Sequence, residues 1–546
     1  MRARPFSPAV AVLALVAASG ATGVATATTT AGAAPTAPGA QDAPTVRADF
    51  DNDGFEDLAV GSAWEDVGTV DQAGSVHVLF GTAGGLTGTG SQIFHQGIAG
   101  ITGDPGTHDW FGWSLGTGDF DADGFTDLAI GVRNERVGTA AEAGVVHVLY
   151  GSASGLQATG SQRFNQDSPG IGESVEAFDN FGVSLATADF DGDGADDLAI
   201  GADGDPVDGR ATAGVAHVLY GDPVARLSGT GSTLLSQSGA AVPEDPEAGD
   251  LFGFSLAAAD YDADGFADLA VGVPSESVGT VARAGAVNVF EGSAGGVTTA
   301  GSRFLSQETQ GVGSAAEIDD AFAAALAGGD FDGDGFDDLA VGASNDGVGT
   351  VAGAGVVNTL RGSATGLTGT GGQLLHQDVG AIGSTAERLD TFGAALAAGD
   401  FDADGADDLA IGVPAEAVGT VAMAGVVNVL YGVDGAGLSV TRTQMLQQGS
   451  LGLGSTPELR DELGFSLASA DFNGDGRADL AAGAAFESVN AIAQGGAFHV
   501  LPGTASGLTR TPSQLFTQDS PGIESAAEPG DAFGFSLAAL GSNVGS

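Results

Sequence analysis

One short acidic motif recurs seven times along this chain of 546 residues. The first copy lies in ADFDNDGFEDLAVG, from Ala48 to Gly61, and the motif has the form D-x-D-x-D-G-x-x-D. Its copies start at Asp49, Asp119, Asp189, Asp260, Asp330, Asp400 and Asp471, 70 or 71 residues apart. A fixed long period indicates one supersecondary unit used repeatedly, so the chain must fold as a repeat architecture.

Each repeat unit contains four short runs that are typical of β-strands. In the unit of Asp119 they are FGWSLGTGDF, DLAIG, AGVVHVLYG and SQRFNQ, named A to D in chain order. Glycine-rich turns separate the runs, and no window shows a sustained helical period. Seven units of four antiparallel strands predict an all-β fold, a seven-bladed β-propeller.

The two ends of the repeat region predict how the ring closes. The motif at Asp49 has no FG run before it, and the last FG run, at 532–540, has no acidic motif after it. We therefore expect the C-terminal strand to complete the first blade as its strand A, which removes an exposed sheet edge. The propeller is predicted to occupy residues 48–546.

The N-terminal residues resemble an export signal. Arg2 and Arg4 precede an apolar run from Ala9 to Ala18, which is too short to span a bilayer, and small-residue cleavage sites follow it. We expect a signal peptide at residues 1–27, an Ala/Thr/Pro-rich linker at 28–47 and a secreted protein without a membrane span. The alternative is a disordered N-terminus that is merely rich in alanine.

The charge balance restricts the partners. The chain has no cysteine, 16 Lys and Arg, 71 Asp and Glu, and a formal net charge of −55. Disulfides therefore cannot stabilise it, and nucleic acid, which needs a basic surface, is excluded as a partner. An acidic surface of this kind repels itself unless cations neutralise part of it. We expect a monomer that binds cations.

The spacing of the motif matches the oxygen ligands that calcium prefers. Positions 1, 3, 5 and 9 supply carboxylates, position 7 supplies a backbone carbonyl, and glycine at position 6 permits the sharp turn. An EF-hand is excluded because position 12 is Val60 instead of Glu, and a dockerin-type pair does not fit the long period. Plain Asx turns without metal are the alternative.

Seven structural Ca²⁺ ions at most are predicted in these loops. Asn473 keeps an oxygen but removes one charge, so the seventh site is expected to be weaker. The predicted ligands are Asp49, Asp51, Asp53, Phe55, Asp57, Asp119, Asp121, Asp123, Phe125, Asp127, Asp189, Asp191, Asp193, Ala195, Asp197, Asp260, Asp262, Asp264, Phe266, Asp268, Asp330, Asp332, Asp334, Phe336, Asp338, Asp400, Asp402, Asp404, Ala406, Asp408, Asp471, Asn473, Asp475, Arg477 and Asp479.

The combination of an FG run and the acidic loop resembles a known family. FGFSLAAADYDADGFADLAVGVP, from Phe252 to Pro274, is similar to the FG-GAP repeats of integrin α-subunit N-terminal propellers, and in particular to secreted prokaryote-type FG-GAP proteins. The resemblance implies a seven-bladed propeller with calcium between strands A and B, used for adhesion or for binding an extracellular protein or glycan. FG becomes FA at Phe322, and all seven units carry an acidic loop, which departs from the integrin pattern.

Deviations from the repeat identify a candidate ligand-binding site. Strand alternation places the A–B and C–D turns, with calcium, on one face and the B–C and D–A connections on the other. Trp64 is in the first B–C connection, and His108, Asp109 and Trp110 are in the first D–A connection. Exposed aromatic residues often anchor ligands, although partly buried loop packing is the alternative.

Enzymatic activity is not predicted. The sequence has no cysteine, no G-x-S-x-G, no H-E-x-x-H and no phosphate loop, and no connection is longer than its equivalents by more than one residue. An extracellular hydrolase or lyase built on the propeller remains the alternative function.

Overall fold

The computed structural model describes residues 48–239, 241–449, 453–511 and 513–539. The predicted signal peptide and linker, residues 1–47, and Leu540 lie outside this part of the chain. The regular elements of the described part are 28 β-strands, and it contains no helix that could cross a membrane.

Seven four-stranded antiparallel sheets form the blades. Blade 1 has the strand order β28-β1-β2-β3, and each later blade uses four consecutive strands, β4–β7 for blade 2 through β24–β27 for blade 7. The strands are β1 Leu58–Ser62, β2 Ser75–Phe80, β3 Thr87–Phe94, β4 Ser114–Gly118, β5 Asp127–Val132, β6 Val145–Tyr150, β7 Gln157–Phe164, β8 Leu185–Ala188, β9 Asp197–Ala202, β10 Val215–Tyr220, β11 Ser228–Leu235, β12 Ser255–Ala259, β13 Asp268–Val273, β14 Ala286–Glu291, β15 Thr298–Leu305, β16 Phe322–Gly329, β17 Asp338–Ala343, β18 Val356–Leu360, β19 Leu374–Leu375, β20 Ala395–Gly399, β21 Asp408–Val413, β22 Val426–Leu430, β23 Thr443–Leu446, β24 Leu467–Ala470, β25 Asp479–Ala484, β26 Ala497–Leu501, β27 Gln514–Phe516 and β28 Ser536–Ala538.

The predicted seven-bladed ring is confirmed. The first strand of each sheet, strand A, contacts strand A of both neighbouring blades, so these seven strands form a closed inner ring. The predicted closure is also confirmed, because β28 pairs antiparallel with β1, with Val60 opposite Leu537.

The hydrophobic core is divided among the interfaces between blades. Seven clusters of buried side chains each join two adjacent sheets; one of them packs Phe50 and Val76 of blade 1 against Leu128 and Ile130 of blade 2. Every strand B is buried along its whole length, which explains why it is a continuous small and apolar run such as DLAIG. No described blade therefore has a core of its own.

The glycine that ends each DLAxG run has a packing role. A Cβ on Gly131 would lie 2.1 Å from Ser114 Oγ and 2.3 Å from the carbonyl oxygen of Gly182 in the next blade. Ser114 Oγ donates a hydrogen bond of 2.7 Å to that same carbonyl. The equivalent bond from Ser536 to Gly112, also 2.7 Å, extends the pattern across the ring closure.

Replacing Gly131 with alanine is expected to destabilise the protein. The new methyl group has no space between Ser114 and Gly182, and overpacking of this kind costs about 1–3 kcal/mol. Gly172→Ala is the control, because a Cβ there has no heavy atom within 4 Å. Urea unfolding at a fixed calcium concentration measures the free energy of unfolding of both variants. Equal values for Gly131→Ala and Gly172→Ala would contradict this packing account.

Candidate calcium loops and ligand-binding face

Each acidic loop, numbered 1 to 7 in chain order, is organised by its first and last aspartates. In loop 1, Asp49 accepts hydrogen bonds from the N–H groups of Asp53, at 3.0 Å, and Gly54, at 2.8 Å. Gly54 has a φ of 96°, a conformation in which glycine avoids the clash of a Cβ. The backbone thus curls around the carboxylate at position 1.

The position 9 aspartate ties the loop to the rest of its blade. Asp57 accepts a hydrogen bond of 2.9 Å from the N–H of Phe50 and one of 2.8 Å from the N–H of Gly81 after strand C. The same carboxylate in every blade accepts from the glycine after strand C, namely Gly81, Gly151, Gly221, Gly292, Gly362, Gly432 and Gly503.

The arrangement of carboxylates fits a calcium ion. Ligand oxygens of Asp49, Asp51 and Asp53 all lie within 4.8 Å of one another. In loops 2, 3 and 4 the aspartates at positions 1, 3 and 9 are grouped in the same way. Oδ1 of Asp51 and Oδ1 of Asp121 are buried without a hydrogen-bond partner, and buried unpaired oxygens of this kind are what a hard cation satisfies.

The electrostatics of the loops favour a bound cation as well. Burial raises the pKa of Asp197 to about 9; the neighbouring carboxylates of Asp191 and Asp189 add to this, and the N–H of Gly221 opposes it. Burial likewise raises the pKa of Asp57 to about 8. A divalent ion among these oxygens would favour their ionised form.

Backbone hydrogen bonds connect the seven loops to one another. The N–H at position 8 of each loop donates to the carbonyl at position 1 of the loop in the preceding blade. These pairs are Glu56–Asp471, Thr126–Asp49, Asp196–Asp119, Ala267–Asp189, Asp337–Asp260, Asp407–Asp330 and Ala478–Asp400. A cation that rigidifies one loop therefore also supports the neighbouring blade.

The seventh loop differs in the way its sequence suggests. The amide Nδ2 of Asn473 donates to both carboxylate oxygens of Asp479, each at 2.9 Å. Positions 3 and 9 are thus paired with each other, a contact that a cation between them would have to replace, and weaker binding at this loop stays a prediction.

The opposite face carries a second recurring set of acids. The glutamine that ends strand D in each blade donates from Nε2 to an acid in the B–C connection of the next blade. The pairs are Gln96–Glu135, Gln166–Asp205, Gln237–Glu276, Gln307–Asp346, Gln377–Glu416, Gln448–Glu487 and Gln518–Glu65. These contacts link neighbouring blades, and the last one spans the ring closure.

Most of these acids are protonated near neutral pH. Burial is the main reason that the pKa of Glu276 is raised to about 8, and Asp250 and Glu247, whose oxygens lie within 4.8 Å, add to it. In blade 2, burial also acts to raise the pKa of Glu135, but the His147 ring and the Arg163 guanidinium, 2.6 Å away, outweigh it and lower that pKa.

Stability is expected to fall as the pH rises from 6.5 to 8.5. Between about 4.5 and 8 folded Glu276 keeps a proton that the unfolded chain releases, so raising the pH favours unfolding. Burial raises the pKa of Glu65, Glu416 and Glu487 to about 8 as well, with the same sign. Urea unfolding at saturating calcium and at several pH values measures the slope of the free energy of unfolding against pH.

Substitution at one site tests the origin of that slope. Glu276→Gln should reduce the slope by up to about 1.4 kcal/mol per pH unit, which is the limit for one titrating group. Glu135→Gln is the matched control, since the lowered pKa of Glu135 keeps it ionised throughout this range. Identical slopes for Glu276→Gln and the wild-type protein would disprove the assignment.

Six aromatic side chains form one continuous cluster on this second face. They are Trp64, Trp110, Trp113, Phe465, Phe486 and Phe535, and below they are called the aromatic cluster. Phe535 is at its centre, with Trp64, Trp113 and Phe465 at centroid distances of 5.5, 5.1 and 5.4 Å. Trp110 stacks on Trp113 at 5.1 Å.

The cluster is assembled by blades 7, 1 and 2. Trp113, Phe465 and Phe535 each precede an inner strand, so they lie next to the propeller axis. Trp64 and Phe486 occupy the same position in the B–C connections of blades 1 and 7. All three tryptophans and Phe486 are partly exposed, whereas Phe465 and Phe535 are buried.

The predicted ligand-face residues are brought together only in part. Trp64 and Trp110 belong to the aromatic cluster, and both indole N–H groups are buried without a hydrogen-bond partner in the described structure. His108 is exposed and pairs with Asp71 at 3.5 Å. Asp109 is buried and accepts a hydrogen bond of 2.6 Å from the N–H of Gly106, so its role is to shape the connection.

Two residues of this face were missed by the sequence reasoning. Phe486 is the counterpart of Trp64 in blade 7, and a comparison of all seven B–C connections would have found it. The guanidinium of Arg133 lies 4.6 Å from the ring centroid of Trp113, a cation–π contact that no motif signals.

The sequence matches the FG-GAP repeat seven times, over residues 44–79, 111–149, 181–219, 252–290, 322–357, 392–430 and 463–501. The second to seventh segments begin at or just before strand A, and all seven contain the acidic loop of their blade. The chain is an FG-GAP repeat protein. Its likeness to integrin α-subunits is confirmed by a match to integrin alpha-PS2 of Drosophila melanogaster, 34% identical over 48% of this chain and 17% of the integrin.

Similarity extends beyond the integrins. Phosphatidylinositol-glycan-specific phospholipase D of Mus musculus is 32% identical over 32% of this chain and 20% of that protein. The chain thus matches about a fifth or less of the length of these relatives. Among solved structures, the rhamnogalacturonan lyase YesW is 13% identical with a TM-score of 0.32, covering 93% of this chain and 96% of the lyase.

Proposed function

We propose that this FG-GAP propeller is a secreted, calcium-stabilised binding module that recognises an extracellular protein or glycan through the face opposite its acidic loops. The aromatic cluster is the observation that carries the proposal. Its four partly exposed aromatic side chains are concentrated in three consecutive blades, whereas the repeat itself requires no such residue at those positions.

The chemistry of the cluster suits a ligand with an apolar face. Tryptophan offers a large rigid apolar surface, and the side chains of Trp64, Trp110 and Trp113 are partly exposed. Arg133 beside Trp113 contributes a positive charge on a strongly acidic protein. An anionic or acceptor-rich group next to an apolar patch fits this arrangement.

The same face has further exposed apolar side chains. Phe178, Ile318, Leu389 and Leu459 are 55%, 66%, 44% and 68% exposed, and all four lie in D–A connections. Phe178 precedes strand A of blade 3, and Ile318, Leu389 and Leu459 precede strand A of blades 5, 6 and 7, so these side chains are distributed around the ring. Such a spread favours a broad ligand, such as a protein or a polymeric glycan, over a small molecule.

The calcium loops serve the scaffold in this proposal. They lie at the other ends of the strands from the aromatic cluster, and their hydrogen bonds run from blade to blade. The relatives that carry this repeat include integrin α-subunits, which is consistent with an extracellular location and supports secretion by residues 1–27.

Calcium removal is expected to lower the melting temperature markedly. A ligand that binds only the folded state stabilises it by about 2.7 kcal/mol per site at a hundredfold excess over its dissociation constant. Thermal melts in excess EDTA and in excess calcium, at constant ionic strength and pH, measure the effect. Superimposable melting curves would rule out a structural role for calcium.

Ligand binding is expected to depend on Trp64 and Trp110. Glycan and extracellular-protein arrays probed in calcium identify binders, and Trp64→Ala and Trp110→Ala should weaken binding at least tenfold at a temperature where thermal melts show both variants to be folded. Asn345→Ala is the matched control, because Asn345 occupies the position of Trp64 in blade 5. All three tryptophans of the chain are in the aromatic cluster, so quenching or a shift of intrinsic fluorescence reports binding directly.

Two outcomes would overturn this proposal. Equal losses in the Asn345→Ala and tryptophan variants would place the binding site elsewhere. Conversion of an array ligand into products would favour the second candidate, a hydrolase or lyase, for which the similarity to a phospholipase D is the supporting observation.

A further inference from the structure

Loop 5 differs from the other acidic loops because of a residue outside its motif. Arg361 directly follows strand C of blade 5, β18, and precedes the glycine that hydrogen-bonds to the position 9 aspartate. The equivalent residues in the other blades are Phe80, Tyr150, Tyr220, Glu291, Tyr431 and Pro502. Blade 5 is therefore the one blade with a basic side chain at this position.

The guanidinium of Arg361 contacts two predicted calcium ligands at once. Its Nη1 pairs with Oδ2 of Asp332, at position 3, and lies 2.8 Å from Oδ2 of Asp338, at position 9. The side chains of Arg361 and Asp338 are only 12% and 2% exposed. A calcium ion binds such oxygens at about 2.3–2.6 Å, so Nη1 and the ion would compete for the same place.

The backbone around Arg361 fixes the side chain in this position. Arg361 exchanges two backbone hydrogen bonds of 2.8 Å with Thr368. The other end of the guanidinium fills a gap in the next blade, where a Cβ on Gly437 would lie 2.2 Å from Nη2. In blade 6 the hydroxyl of Tyr431 fills the corresponding gap beside Gly507.

Three other arginines, Arg226, Arg442 and Arg477, pair with aspartates of acidic loops, and Arg477 Nη1 lies 3.6 Å from Asp475 Oδ1 in loop 7. Arg226 Nε lies 2.9 Å from Asp121, and Arg442 pairs with Asp402 and, at 3.5 Å, with Asp404. The side chains of Arg226 and Arg442 lie over tyrosine rings and are 40% and 41% exposed.

In the described structure none of these three arginines forms an ion pair with a position 9 aspartate. Arg361 differs from them because its Nη1 contacts the position 9 aspartate of its own loop, Asp338.

We infer that the guanidinium of Arg361 occupies the cation position of loop 5, so that blade 5 is held by a built-in positive charge and does not bind calcium. This inference rests on the proposed calcium binding of the other loops. A fixed charge leaves this blade intact when calcium is scarce, because Arg361 cannot dissociate.

The test counts bound calcium ions per chain by equilibrium dialysis. Arg361→Tyr, which installs the residue of blades 2, 3 and 6 and retains the packing beside Gly437, should bind one more calcium ion than the wild-type protein. It should also show a larger loss of melting temperature in EDTA. Arg283→Gln is the control, because Arg283 forms an exposed ion pair with Asp319.

A second pair of variants tests the inference without requiring a new site to form. Asp332→Ala should leave the wild-type calcium count unchanged, whereas Asp191→Ala, at the same position of loop 3, should lower it by one. A count that falls by one in Asp332→Ala, or that does not rise in Arg361→Tyr, would overturn the inference.

The number of calcium ions bound by the wild-type chain distinguishes a failure of this inference from a failure of the proposed function. A wild-type chain that binds no calcium contradicts the calcium-stabilised module, and a gain of one ion in Arg361→Tyr supports the role of Arg361 whatever that count is.

Discussion

No described blade has a hydrophobic core of its own, and the rest of this structure depends on that constraint. Each hydrophobic cluster is shared by two adjacent sheets, so a blade without neighbours would expose both faces of a strand B that is buried along its whole length. The ring must therefore close, and β28 closes it by pairing with β1. A repeated contact, a hydrogen bond of the kind that Ser536 donates to Gly112, occurs at five of the seven interfaces.

Two sets of acids at the ends of the strands complete the interfaces, and each set is neutralised in a different way. On one face, carboxylates at positions 1, 3 and 9 converge to a group that fits a divalent cation. On the other face, buried acids such as Glu276 accept hydrogen bonds from glutamines and keep their protons near neutral pH. Loop 5 shows a third way, in which Arg361 supplies the positive charge.

Much of the fold could be predicted from the sequence because the repeat is nearly regular. The period gave the number of blades, the runs A to D gave the strands, and the unmatched FG run at 532–540 predicted the closing strand. The glutamine that recurs after every strand D is also visible in the sequence, and Gln237 links its blade to the next one through Glu276. Regular repetition makes such inferences reliable, since one sequence contains seven copies of the same structural unit.

The features specific to single blades could not be predicted in this way. Arg361 is 23 residues beyond Asp338, and only the pairing of strands B and C brings it to loop 5. Phe486 and Trp64 are separated by most of the chain and meet through ring closure at Phe535.

The central claim is that the acidic loops are the cation sites that stabilise the propeller. Anomalous diffraction from crystals soaked in a terbium salt, as a calcium substitute, tests it most directly. The account predicts peaks enclosed by the aspartates of loops 1 to 4 and no peak between Asp332 and Asp338 of loop 5. Peaks absent from loops 1 to 4, or confined to the acids around Glu276 on the opposite face, would contradict it.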